Sequence, residues 1–110
     1  MDIDLIIENK EKMIDIEGNQ MSLMQSFIIQ ASSNLFKTMG YKPEGYNIKE
    51  NDNQGIVFFC SKDNKKWIIE FNPTTSDNGI SIEIVINDEN YKQVDKSNWD
   101  MTKVNNQGVA

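Results

Sequence analysis

Hydrophobic residues recur with period two at the start of the chain, with a helical period in the middle, and with period two again through most of the second half. Residues 2–8 read D-I-D-L-I-I-E. Ile3, Leu5 and Ile7 fall on one side and Asp2, Asp4, Ile6 and Glu8 on the other, the pattern of a half-buried strand. After the polar turn Asn9-Lys10-Glu11, Ile14 and Ile16 share one face while Met13, Asp15 and Glu17 share the opposite one. The two runs predict an N-terminal hairpin ended at Gly18.

At Ser22 the period changes. Ser22-Leu23-Met24-Gln25 has the form of a capping box, and Met24, Phe27, Ile28, Ala31, Leu35 and Met39 recur at three-to-four-residue spacing. Gly40 supplies a stop, with Pro43 shortly after, so residues 22–39 are predicted to form the main helix, with Gln25, Ser26, Gln30, Ser33 and Lys37 on its polar side.

The second half predicts a meander. A short strand is expected over 46–50, followed by the run Ile56-Val57-Phe58-Phe59-Cys60, which is apolar on both faces and so suits the middle of a sheet. Residues 66–72 alternate with Trp67, Ile69 and Phe71 inward; 73–78 read as a loop; Ile80, Ile82, Ile84 and Ile86 then mark the cleanest strand in the chain. From Asp88 onward only Tyr91, Val94, Trp99, Met101 and Val104 are available for burial. Ser97-Asn98-Trp99-Asp100 has capping-box form in a very polar setting, and the segment from about 97 is expected to fray. The order predicts an α+β fold, an antiparallel β-sheet made of the N-terminal hairpin plus a C-terminal meander, packed on one main α-helix.

Length makes this one domain over residues 1–110, large enough to bury a core without disulfides or a structural metal. The longest uninterrupted apolar run, 56–60, is far short of a membrane span. The start Met1-Asp2-Ile3-Asp4 is acidic where a signal peptide would be basic, so a cytoplasmic protein with no membrane partner is expected.

Composition acts mainly by exclusion. There is no His, no Arg and a single Cys. Without His there is no serine or cysteine triad of the usual kind and no imidazole zinc site; no unperturbed side chain titrates near neutrality. Without Arg there is no bidentate fork for phosphate, and the net charge of −6 repels nucleic acid and anionic lipid. Direct nucleic-acid binding, a cofactor, a metal and an enzymatic activity are therefore not expected. Eleven Lys beside 15 Ile and 14 Asn read as an AT-rich coding sequence, pointing to a low-GC bacterium or phage and making the lack of Arg partly mutational bias. Cys60, inside an apolar run, is expected in the core.

Several constellations have ordinary explanations. Asp2-x-Asp4 is a poor cation cage, and residues 50–55 lack the glutamate that a calcium loop needs at its twelfth position, where Ser61 stands. Lys62, Lys65 and Lys66 beside Trp67 read as a charged turn. Glu70 and Glu83 lie on facing strands with nothing to indicate a pocket. Val57, Phe59, Ile68 and Val85 fall on the outward face of the sheet, forming an apolar patch to be covered by the C-terminal segment, a partner or a second copy.

The charge distribution carries more information. Residues 1–17 hold six acids and two lysines, so two thirds of the net charge lies in the first hairpin. On strands, Asp2, Asp4, Glu8, Asp15 and Glu17 would crowd onto one solvent side, at a cost that a basic protein partner would relieve. A solvated face guarding an edge strand is the competing reading. The functional expectation is a small acidic protein-binding domain that neutralises or inhibits a partner by occluding a basic surface, in the manner of an immunity protein or a phage inhibitor. A structural protein acting as a homodimer through an edge strand or the second sheet face is the alternative.

Overall fold

In the computed structural model, which describes residues 3–49 and 54–102, the chain begins α1 (Ile3–Glu8), β1 (Met13–Ile16), β2 (Asn19–Ser22) and α2 (Leu23–Met39). Five strands follow: β3 (Lys42–Ile48), β4 (Ile56–Lys62), β5 (Lys65–Ser76), β6 (Gly79–Asp88) and β7 (Gln93–Thr102). The five make an antiparallel meander in chain order, and β1 and β2 form a separate two-stranded sheet. The α+β class, the main helix and the antiparallel pairing are as the sequence predicts.

Helix α2 starts and stops where its caps place it. Ser22 Oγ accepts from Gln25 N–H at 3.1 Å and Gln25 Oε1 accepts from Ser22 N–H at 2.9 Å, completing the capping box. Gly40 adopts the left-handed conformation, φ 82°, and its N–H donates to Phe36 O. The buried stripe, however, is rotated from the predicted one. Gln25 and Ser26, expected on the polar side, are buried, as are Ser32 and Phe36, while Phe27 and Leu35 are half-buried. Gln25 is inside because its Nε2 reaches Gly55 O at 3.4 Å, tying the start of the helix to the approach to β4.

The core lies between α2 and one sheet face. Register places Tyr46, Phe58, Ile69 and Ile86 in one row across β3 to β6 and Ile48, Ile56, Phe71 and Ile84 in the next. Phe36 descends from α2 onto these rows, edge-on to Phe58 at 5.0 Å and to Phe71 at 5.6 Å, with Phe58 and Phe71 in turn 5.2 Å apart. Ile80 and Ile82 extend the core toward α1, and Cys60 is buried within it as expected.

Three local expectations are corrected. Residues 2–8 do not form a strand: from Ile3 they are helical, with Ile6 fully buried, Ile3 and Ile7 packed on the core and Leu5 53 % exposed. So short an apolar run fits either period, and the i, i+3, i+4 stripe wins because it packs against α2 and β6. The N-terminal hairpin is instead β1 with β2, closed by Glu17-Gly18. Residues 73–76 are not loop, since β5 continues through Pro73, opposite Ile82, to Ser76. A proline is tolerated there because the β4–β5 pairing ends at Phe71, which leaves this stretch of β5 bonded to β6 alone. Residues 97–102 are not a helix start but part of β7, with Trp99 and Met101 turned toward the core side.

Removal of the Phe36 ring is expected to cost more than any other single truncation in α2. Phe36→Ala should lower unfolding stability by about 3–5 kcal/mol and Phe36→Leu by about half that, measured by urea titration with the denaturant slope unchanged.

Candidate functional site

Residues 3–22 are not part of the five-stranded sheet, but they pack on it through α1 and are stitched to the start of α2. Leu23 N–H donates to Lys12 O at 2.9 Å and Met24 N–H to Lys10 O at 3.3 Å, so the turn after α1 satisfies helix donors that would otherwise lack partners. Ile6, Ile14, Ile16 and Met21 bury or half-bury the inner side of this segment, while Leu5 and Met13 project outward, 53 % and 58 % exposed.

The structure divides the predicted acidic site between two elements. Asp4 and Glu8 sit one helical turn apart on α1, Asp4 half-buried in the first turn and Glu8 exposed at the C-terminal end. Like charges at that spacing repel, and Glu8 also faces the negative end of the helix. Asp15 and Glu17 are brought together on the β1–β2 hairpin, both exposed, with Asp15 Oδ1 accepting Gly18 N–H at 2.9 Å. Asp2 lies outside the described residues. A single strand face holding all five is thus replaced by two pairs. The two lysines are disposed unequally: Lys10 turns inward to donate to Thr75 Oγ1 at 3.0 Å, and Lys12 stays exposed. With Lys10 and Asp4 both half-buried, the fully exposed charges of residues 3–17 are Glu8, Glu11, Asp15 and Glu17 against Lys12.

Glu17 is an unusual choice for its position. It has φ 52° and Gly18 has φ 86°, two successive left-handed residues of the kind that suit a tight hairpin turn, where Asn or Asp is favoured first. Glutamate lacks the short side chain that eases this conformation.

The remaining constellations resolve into structural contacts. On the sheet face away from α2, Lys49 Nζ meets Glu70 Oε1 at 2.8 Å and Asn72 Oδ1 at 2.7 Å, Asn72 Nδ2 reaches Glu83 Oε1 at 3.4 Å, and Lys96 Nζ pairs with Glu83 Oε2 at 3.1 Å. Each of the two glutamates thus has its own lysine. Buried Asn87 donates to Glu70 Oε2 at 3.0 Å and Ile68 O at 3.1 Å. Burial pushes the Glu70 carboxyl up, but the hydrogen bonds from Lys49 and Asn87 and the charge of Lys49 outweigh it, and the group is held below its ordinary range. That is the opposite of the shift a general acid uses. Val57, Phe59, Ile68 and Val85 do lie on this face, the first two half-buried and the others buried. The expected cover does not come from Tyr91, Val94 or Trp99. Tyr91 and Val94 are exposed, and β7 continues the sheet instead of crossing it.

Among the lysines beside Trp67, Lys62 lies 4.7 Å from the Tyr41 ring centroid and Lys66 pairs with Glu44 at 2.7 Å, while Trp67 Nε1 donates to Lys62 O. Burial pushes the Cys60 thiol up to about 11, as befits a core residue. A cleft of about 450 Å³ between the β4–β5 and β6–β7 turns includes Lys65, Lys66, Asp88 and Glu89, but Asp88 Oδ1 already accepts the N–H groups of Asn90 and Lys92. Among the described residues no group of three or more His, Cys, Asp or Glu is placed to hold a metal ion, and no helix is long and apolar enough to cross a membrane. Residues 50–53, most of the calcium-loop lookalike, lie outside the described residues.

No family model, curated protein or solved structure matches the chain. Exposure of Leu5 is not legible in the sequence, because a strand over residues 2–8 turns it inward, whereas Met13 lies on the outward face with Asp15 and Glu17, as the alternation of β1 predicts.

The Glu70 contacts predict an acid-dependent stability. A carboxyl lowered on folding stabilises the native state above its unfolded pKa of about 4.3, and the gain disappears as pH falls through the lower native value. Lys49→Met should therefore cost about 1–2 kcal/mol at pH 7, with the gap to the unsubstituted protein narrowing below about pH 4, as followed by urea unfolding across pH.

Proposed function

We propose that the protein works by binding another protein, placing the acidic N-terminal segment against a basic surface and so inhibiting or neutralising the partner. The observation that supports this is the outer surface of residues 3–17. It presents Glu8, Glu11, Asp15 and Glu17 beside exposed Leu5 and Met13, while one of its two lysines is drawn inward. Acids alone would describe a solvated face. Large apolar side chains exposed on the same segment supply what charge lacks, because acids speed and orient association whereas desolvated apolar contacts provide most of the affinity. The role is stoichiometric occlusion, with Asp4, Glu8, Asp15 and Glu17 as electrostatic contacts and Leu5 and Met13 as anchors.

Glu17 allows function to be separated from folding. Glu17→Asn gives the turn a residue it prefers and is expected to stabilise the protein by about 0.5–1 kcal/mol, while slowing association by removing a charge. Affinity capture from a lysate of the organism that makes the protein should retain a basic partner at low salt, released at high salt and absent when Asp4, Asp15 and Glu17 are all changed to Lys. Capture that is indifferent to those reversals and to salt would remove the acidic segment from the mechanism.

A further inference from the structure

The five-stranded sheet has two edges of opposite character. Edge strand β3 is protected: Pro43 offers no N–H, the register slips between Pro43 and Gly45, and Tyr46 Oη accepts from Asn19 Nδ2 of the β1–β2 hairpin at 3.4 Å. The other edge, β7, has no proline and no glycine, pairs regularly with β6 from Asp95 to Thr102, and is exposed throughout Gln93 to Asn98. A long regular edge of this kind is a template for one more strand.

Its side chains specify which strand. Lys96, Asn98 and Asp100 share the face away from α2, where Lys96 meets Glu83 and Asp100 Oδ1 accepts the Ser81 hydroxyl at 2.6 Å; Ser97, Trp99 and Met101 share the α2 face. A second copy added antiparallel across a two-fold axis pairs residues of like parity. Registers centred on Lys96 or Asp100 oppose like charges, and those centred on Ser97 or Trp99 set Lys96 against Asn98 or Thr102. The register centred on Asn98 sets Lys96 against the partner's Asp100, twice by symmetry. On the α2 face it places each Trp99 opposite the small Ser97 of the other copy, with the two indoles diagonal across the axis and within reach of each other.

We propose that β7 pairs with β7 of a second copy in this register, joining two five-stranded sheets into one of ten strands with both α2 helices on the same side. Charges that repel an arbitrary strand become contacts for this one. The row Lys49, Glu70, Asn72, Glu83, Lys96 continues across the boundary into the partner's Asp100. The proposal does not depend on the acidic segment, which lies outside this sheet.

Sedimentation velocity of the full chain over a concentration series provides the test. The unsubstituted protein should dimerise; a monomer at every concentration overturns the proposal. Lys96→Glu and Asp100→Lys should each weaken the dimer by about tenfold, and the two together should restore it to within about threefold, since the exchange re-forms both pairs. Single reversals without effect, or a double variant as weak as the singles, overturn the register. In the unsubstituted protein, alternate β7 amides pointing away from β6 should gain hydrogen-exchange protection on dimerisation. Amides that exchange equally fast in both states would place the contact elsewhere and overturn the proposal.

Discussion

Much of the arrangement depends on one ring. Phe36 is the point at which the helix meets the sheet, held edge-on by Phe58 and Phe71 from two neighbouring strands. Rings in this relation resist rotation as well as separation, because turning α2 about its axis would replace favourable edge-to-face contact with face-to-face overlap. The ring therefore sets the stripe of α2 that is buried. The same orientation brings Gln25 to Gly55 and directs the start of the helix toward the turn that follows α1. The position of the N-terminal segment is thus a consequence of packing more than three helical turns away.

The parts of the fold legible in the sequence are those where one local signal meets no rival. The Ser22–Gln25 box and Gly40 bound α2 correctly because caps act within a few residues. The isoleucines at 80, 82, 84 and 86 announce β6 because eight alternating positions leave no second period to fit. Residues 2–8 failed for the converse reason: with so few positions, assignment rests on whether Leu5 or Ile6 is buried, and that is decided by α2 and β6 far away in sequence. Residues 73–78 read as a loop in the sequence, which does not show that the β4–β5 pairing ends at Phe71 and leaves Pro73 room in β5. The polar strand β7 has little apolar pattern of its own and exists because β6 offers it a long regular edge.

For the candidate site, the composition of the surface was legible and its geometry was not. The excess of acids in the first 17 residues is a property of sequence, but a common face for them required a strand that does not form. The replacement is two pairs on different elements, accompanied by Met13 on β1 and by Leu5, whose exposure only the helical assignment brings out. Glu70 and Glu83 illustrate the opposite case. They suggest chemistry as bare carboxylates, but each is engaged by a lysine, Glu70 by Lys49 and Glu83 by Lys96, and Glu70 is held below its ordinary range, the wrong direction for an acid.

The two bonds from Leu23 and Met24 back to the Lys10–Lys12 turn have a mechanical meaning for the surface beyond them. An appended hairpin would ordinarily sample many orientations and surrender that freedom when grasped. Here its base is held by two donors at the start of a 17-residue helix that have no acceptor within the helix, so swinging it away means exposing them. A molecule docking on the hairpin meets a surface whose ordering entropy was lost when the chain folded. Affinity there can come from few contacts.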